Sequence, residues 1–272
     1  MDCGIRLLSD KADVIRLGKP ESSQSLAYVN FKRAMNYGKV YLILGVAVSL
    51  GTLILLTVVP GGTTPQTSAY VLQVEQTLGI HNASVILVAL TYPDLVPMSA
   101  IISSMGALMI FSSDKTKGVY EYLIAYGVNP SSIFWSILAT TIGIVSIVLV
   151  VSVSSAVALL AALNGSVPHI FVQLTYSYII PLSYAGAIFG CVAGMIWSSL
   201  STRRAGINSP VGIAPLLGML PVLAVLFVSE TMSPSDLLIL AGAVSACVVG
   251  GAALMIWVAN NKMVRERFLS NA

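Results

Sequence analysis

Six apolar stretches, at residues 40–59, 85–111, 132–162, 169–200, 211–228 and 237–259, dominate this chain of 272 residues. Each reaches the roughly 17–25 residues that a helix needs to cross about 30 Å of hydrocarbon. The charges between them obey one rule. All fourteen Lys and Arg residues fall before the first stretch, between the second and third, between the fourth and fifth, or after the sixth. The connections 1–2, 3–4 and 5–6 contain neither residue. Loops near helix ends keep their positive charge on the cytoplasmic side, so both termini should be cytoplasmic. The expected fold class is all-α: a polytopic membrane protein with six transmembrane helices.

Composition agrees, with 56% apolar and 9% charged residues. The net charge of +3 says little about partners. It sums a basic inner face and an acidic outer one that holds Glu75, Glu230 and Asp236. A basic patch beside a bilayer reflects topology and anionic lipid, so membrane lipid is the expected contact and nucleic acid is not. Residues 1–39 lack the apolar core of a signal peptide, and no cleavage is expected. Three cysteines make no disulfide framework. Cys3 should be cytoplasmic, while Cys191 and Cys247 lie within spans as small packing residues. Two Asn-x-Ser triplets, at Asn82 and Asn164, fall in outer connections and permit glycosylation only where the host performs it.

Residues 1–23 read as a charged cytoplasmic tail, and 262–272 as a second, basic one. Between the first tail and span 1, residues 24–39 mix aromatic, aliphatic and basic side chains. With Ser25 as N-cap this segment forms a short helix in the plane of the inner interface, or else an extended linker carrying basic anchors. After span 1 comes a turn-rich break at 60–65, then a possible surface helix at 70–75. Residues 40–261 form the six-span domain, with inner loops too short for a soluble domain.

Spans 3 and 4 are each about thirty residues, roughly 45 Å at 1.5 Å per residue, and should tilt, kink or run into the cytoplasm. Pro181, Pro215 and Pro221 are candidate kinks. Gly186, Gly190 and Gly194 recur every four residues on span 4 and allow close helix approach. Gly242, Ala246 and Gly250 do the same on span 6. Packing within the chain is favoured over a dimer seam.

Enzyme constellations are missing: no paired metalloprotease histidines, no cysteine cluster of zinc spacing, no Gly-x-Ser-x-Gly elbow. The two histidines, His81 and His169, lie at the outer surface and make a poor metal site. No phosphate-binding loop is present, so any ATP and Mg would sit on a separate chain.

The inner loop 113–131 carries the most information. Residues 119–126 read as a short amphipathic helix, Gly127 as its left-handed cap, Asn129 as the next cap and Pro130 as the first residue of a new helix. Such a helix–break–helix is a rigid knuckle that a cytoplasmic partner can push. The run Lys117-Gly118-Val119-Tyr120-Glu121-Tyr122-Leu123-Ile124-Ala125, followed by Gly127-Val128-Asn129-Pro130-Ser131-Ser132-Ile133, resembles the loop after the second span in membrane subunits of ABC-2 type transporters. Val119 stands where that family commonly has Thr, and Asn129-Pro130 where it has Ser-Arg. The resemblance implies a permease joined to a cytoplasmic ABC ATPase and to a second permease copy or homologue. Glu121 would be the polar contact of the docking surface and Tyr120 or Tyr122 its apolar anchor, with Lys117, Gly118 and Gly127 shaping it. The same loop is similar, less closely, to the coupling segment of importer permeases, which has Ala-Ala where this chain has Tyr122-Leu123.

Asp94 is the one carboxylate expected at membrane depth, between Pro93 and Pro97 in span 2. It marks a substrate or gating position on a translocation path, or it marks a helix break near the outer interface, with the carboxylate solvated or acting as a cap. The resulting reading is the permease subunit of an ATP-driven exporter in the plasma membrane. A structural subunit of a larger membrane complex is the other class.

Overall fold

The computed structural model of the chain describes residues 23–58, 82–200, 214–229 and 233–259. They form α1 (Ser23–Tyr37), α2 (Lys39–Val58), α3 (Ala83–Leu90), α4 (Tyr92–Thr116), α5 (Val119–Ala125), α6 (Pro130–Asn164), α7 (His169–Leu174), a π-helical turn (Thr175–Ile179), α8 (Ile180–Leu200), α9 (Ala214–Ser229) and α10 (Pro234–Ala259). No strand occurs among the described residues. The expectations for residues 1–22 and 262–272, Cys3, the segments 60–65 and 70–75, and His81 lie outside them.

Five helical runs are long and apolar enough to cross a membrane: Lys39–Val58, Tyr92–Thr116, Pro130–Asn164, His169–Trp197 and Ser235–Ala259. The stretch expected at 211–228 appears as α9, 16 residues with an apolar centre at Leu217–Phe227. At 1.5 Å per residue α9 is about 24 Å long, short of the roughly 30 Å of hydrocarbon.

The layering follows burial. Two-thirds of the apolar windows of α4 and of the α7–α8 run are buried, against 17% for α2 and 22% for α10. So α4 and α8 form the axis, with α2, α6, α9 and α10 around them. The outer helices turn Ile43, Leu55, Ile239, Leu254 and Trp257 outward, an apolar surface suited to hydrocarbon. The main core gathers Val85, Tyr92, Ile101, Val145, Phe171, Ile179 and Leu182 from α3, α4, α6, α7, the π turn and α8.

Prolines decide where the spans break. Span 2 is not one continuous helix. It divides at Thr91 into α3 and α4, because Pro93 has no N–H to give the Ala89 carbonyl. Asn82 caps α3, its side chain accepting from the Ser84 N–H at 3.0 Å. Span 4 stays helical from His169 to Leu200, and Pro181 is accommodated by the π turn just before it. There the Ile180 N–H reaches back to the Thr175 carbonyl. Pro215 falls in the first turn of α9, where a missing N–H costs nothing, and Pro221 lies inside it.

The two glycine rows differ. Gly186 faces Gly218 of α9 so closely that a Cβ on it would lie 3.1 Å from the Gly218 carbonyl oxygen and 2.7 Å from Ile101 Cδ1. Gly190 and Gly194 are buried along the same helix. On α10 the expected packing within the chain is absent: nothing lies within 4 Å of a Cβ built on Gly242 or Gly250, and Ala246 is exposed. Cys247 is likewise exposed, so it is no packing residue, whereas Cys191 is buried and accepts a hydrogen bond from Thr141.

The interfacial segment is a helix three residues longer at its start than a Ser25 cap would allow, so Ser25 lies inside α1. Its inner side packs on α6 and α4, with Asn30 Nδ2 donating to Ser136 Oγ at 2.9 Å and the Phe31 ring lying over Gly143.

Candidate functional site

The knuckle is built as its residue types dictate. Gly118 takes φ 68° ahead of α5, and Gly127 takes φ 85° behind it, both left-handed and open to glycine without strain. At the C-terminus the Val128 N–H bonds the Leu123 carbonyl at 3.0 Å and the Gly127 N–H bonds the Ile124 carbonyl at 2.9 Å. This pair of bonds is a Schellman closure. One residue on, Asn129 Oδ1 accepts from the Ser131 N–H at 2.9 Å, and Pro130 opens α6. The break is therefore fixed by backbone chemistry at each of its residues.

Side chains on α5 divide sharply. Tyr120 is only 2% exposed and its ring stacks on Phe111 of α4, centroids 5.4 Å apart. It seats the helix on the bundle and is closed to a partner, which leaves Tyr122 as the outward aromatic. Tyr122 and Tyr126 are 47% and 69% exposed and pack on each other with centroids 4.4 Å apart. Glu121 and Lys117 are exposed beside them, with Glu121 in electrostatic reach of the buried Lys115. Gly118 sits next to Glu121, whose Oε2 lies 3.5 Å from where a Cβ on Gly118 would be.

Beneath the knuckle is an ion pair. Arg33 of α1 grips Asp114 of α4 through two hydrogen bonds, both 2.7 Å. The Asp114 side chain is 2% exposed and the Arg33 side chain 37%. Burial and then the Asp114 carboxylate push the Tyr120 hydroxyl well above its ordinary range, with Arg33 acting in the other direction. The hydroxyl therefore keeps its proton and remains a donor.

Asp94 lies at the opposite end of α4, 21 residues or roughly 30 Å from Lys115. It is 3% exposed, and its Oδ2 has no protein hydrogen-bond partner. The Tyr178 hydroxyl, on the π turn, is also buried and lies close enough to the Asp94 carboxyl to interact with it, although neither it nor Asp94 Oδ2 makes a hydrogen bond of good geometry to the protein. The carboxylate is buried in the first turn of α4. Beside this pair, Tyr92, Ser49 and Ser152 form a buried polar network joining α4, α2 and α6, in which Ser49 Oγ donates to Ser152 Oγ at 2.7 Å. His169 is exposed, and no group of metal-binding side chains occurs among the described residues.

Sequence reasoning missed Tyr178, Arg33 and Asp114. Asp114 reads in sequence as one more charge of a basic loop, and only the docking of α1 gives it a partner. The one available signal for Tyr178 was its place three residues before Pro181, where a helix must deform. No protein-family model, curated protein or solved structure matches this chain.

Proposed function

We propose that this chain is the permease subunit of an ATP-driven transporter of the ABC-2 type, an exporter driven by a separate cytoplasmic ATPase. In this reading α9 completes a set of six spans, both termini are cytoplasmic in the plasma membrane, and a second permease copy completes the pathway. The knuckle supports it most directly: a rigidly capped short helix presents Glu121, Tyr122 and Tyr126 outward at the end of the bundle that carries the basic residues. ATP binding would move this knuckle. The α4 helix, anchored at one end by Arg33 and Asp114, would carry that movement to Asp94 and Tyr178 near the other membrane face. Two buried polar groups there fit a translocation path better than inert packing, since unpaired polar groups at membrane depth are costly.

The test is a charge reversal at the docking surface. Losing one desolvated charged contact costs about 2–5 kcal/mol of association, whereas a rim charge costs much less. Glu121→Arg should detach the ATPase or uncouple its turnover while the permease inserts normally. Arg203→Glu with Arg204→Glu in the other inner loop should have a smaller effect. A Glu121→Arg permease that still copurifies with its ATPase and transports at the wild-type rate rules the assignment out.

A further inference from the structure

The buried Tyr120 hydroxyl has no protein hydrogen-bond partner, yet the residue lines a small cavity where α1, α4, α5 and α6 meet. The volume open to the centre of a water-sized sphere is about 10 Å³. That is room for one water molecule and nothing larger. Ala107, Ile110 and Ile137 supply apolar wall, and Asn30 and Thr140 supply polar atoms. Their hydrogen bonds are already directional. Asn30 commits one N–H of its amide to Ser136 Oγ, leaving a second N–H and the Oδ1 acceptor, and Thr140 donates to the Ser136 carbonyl at 2.8 Å, leaving its oxygen lone pairs. The lining residues therefore carry two donors, the Tyr120 hydroxyl and the second Asn30 N–H, and two acceptors, Asn30 Oδ1 and Thr140 Oγ1. A water can use three of these, accepting from Tyr120 and donating to the two oxygens, the number of bonds usual for buried waters.

We infer that this cavity is the binding site of a single ordered water that ties the knuckle helix α5, through Tyr120, to Asn30 of α1 and Thr140 of α6. The inference stands on the cavity and its lining, and does not depend on what docks outside.

The sign of one substitution decides it. In a dry cavity the Tyr120 hydroxyl is an orphan, and Tyr120→Phe leaves stability unchanged or raises it. In a wet one the substitution removes one of the water's hydrogen bonds and weakens its hold on Asn30 and Thr140. The full chain in detergent micelles should then show a folding equilibrium constant lower by about fivefold or more, measured by titration with denaturing detergent. Thr140→Val supplies the second arm. If both residues share one water, the double variant loses less than the product of the two single losses. Radiolytic footprinting should also label buried Tyr120, because bound water generates hydroxyl radicals in place, while equally buried Phe171 stays unlabelled. An unchanged or stabilised Tyr120→Phe, single losses that multiply, or a Tyr120 as unreactive as Phe171 would each overturn the site.

Discussion

The Arg33–Asp114 pair joins the helix outside the spans to the central one, and its removal has a size that the structure sets. Arg33→Met keeps an apolar stem but withdraws the guanidinium, leaving a carboxylate that is 2% exposed with two lost hydrogen bonds. Breaking a fully buried pair costs about 3–5 kcal/mol, and an exposed pair contributes about 0–1 kcal/mol. The Arg33 side chain is 37% exposed, so water reaches one side of the pair and screens part of the loss. The expected cost is about 2–3 kcal/mol, or roughly 30- to 150-fold in the folding equilibrium. The double variant Arg33→Met with Asp114→Leu leaves no charge behind and should cost less than about 1 kcal/mol, because an apolar replacement of both partners avoids the desolvation penalty. Denaturing-detergent titration of the four proteins of this cycle, followed by tryptophan fluorescence, measures both quantities. If Arg33→Met costs under about 0.5 kcal/mol, or the double variant is no better than the single, then the pair is not a buried clamp.

Three further outcomes are expected. In a cysteine-free background, single cysteines at Ser166 and Ser233 should react with an impermeant thiol reagent applied to intact cells, and one at Thr116 should not; labelling at Thr116 would reverse the topology and remove the docking surface. Asp94→Asn and Tyr178→Phe should each leave insertion and assembly intact but reduce substrate-stimulated ATPase activity in the reconstituted complex, and wild-type stimulation in both would make the pair structural only. Gly218→Leu should destabilise the bundle by at least the roughly 1–3 kcal/mol of an overpacked core, because it faces the Gly186 backbone, while Gly242→Leu, pointing into open space, should leave the thermal midpoint unchanged.

Hydrophobicity and charge are summed along a chain, and whatever depends on such sums was legible in the sequence. The apolar stretches 40–59, 132–162 and 237–259 return as α2, α6 and α10 with ends shifted by a few residues, because burying backbone in hydrocarbon demands a helix whatever packs beside it. The knuckle was equally legible: Gly127, Asn129 and Pro130 act on backbone within a few residues of themselves, and a cap needs no distant partner. Tertiary structure decided everything that depends on which face meets which. The periodicity of α5 left Tyr120 and Tyr122 interchangeable, and the stacking of Tyr120 on Phe111 separated them. Two rows of small residues with the same spacing parted ways, since only α8 had Gly218 opposite it. The π turn brought Tyr178 beside Asp94, and Asp114 had no partner until Arg33 arrived from 81 residues away. Contacts of that range rest on the relative placement of whole helices, which apolar side chains of similar volume and no directionality leave unspecified along the sequence.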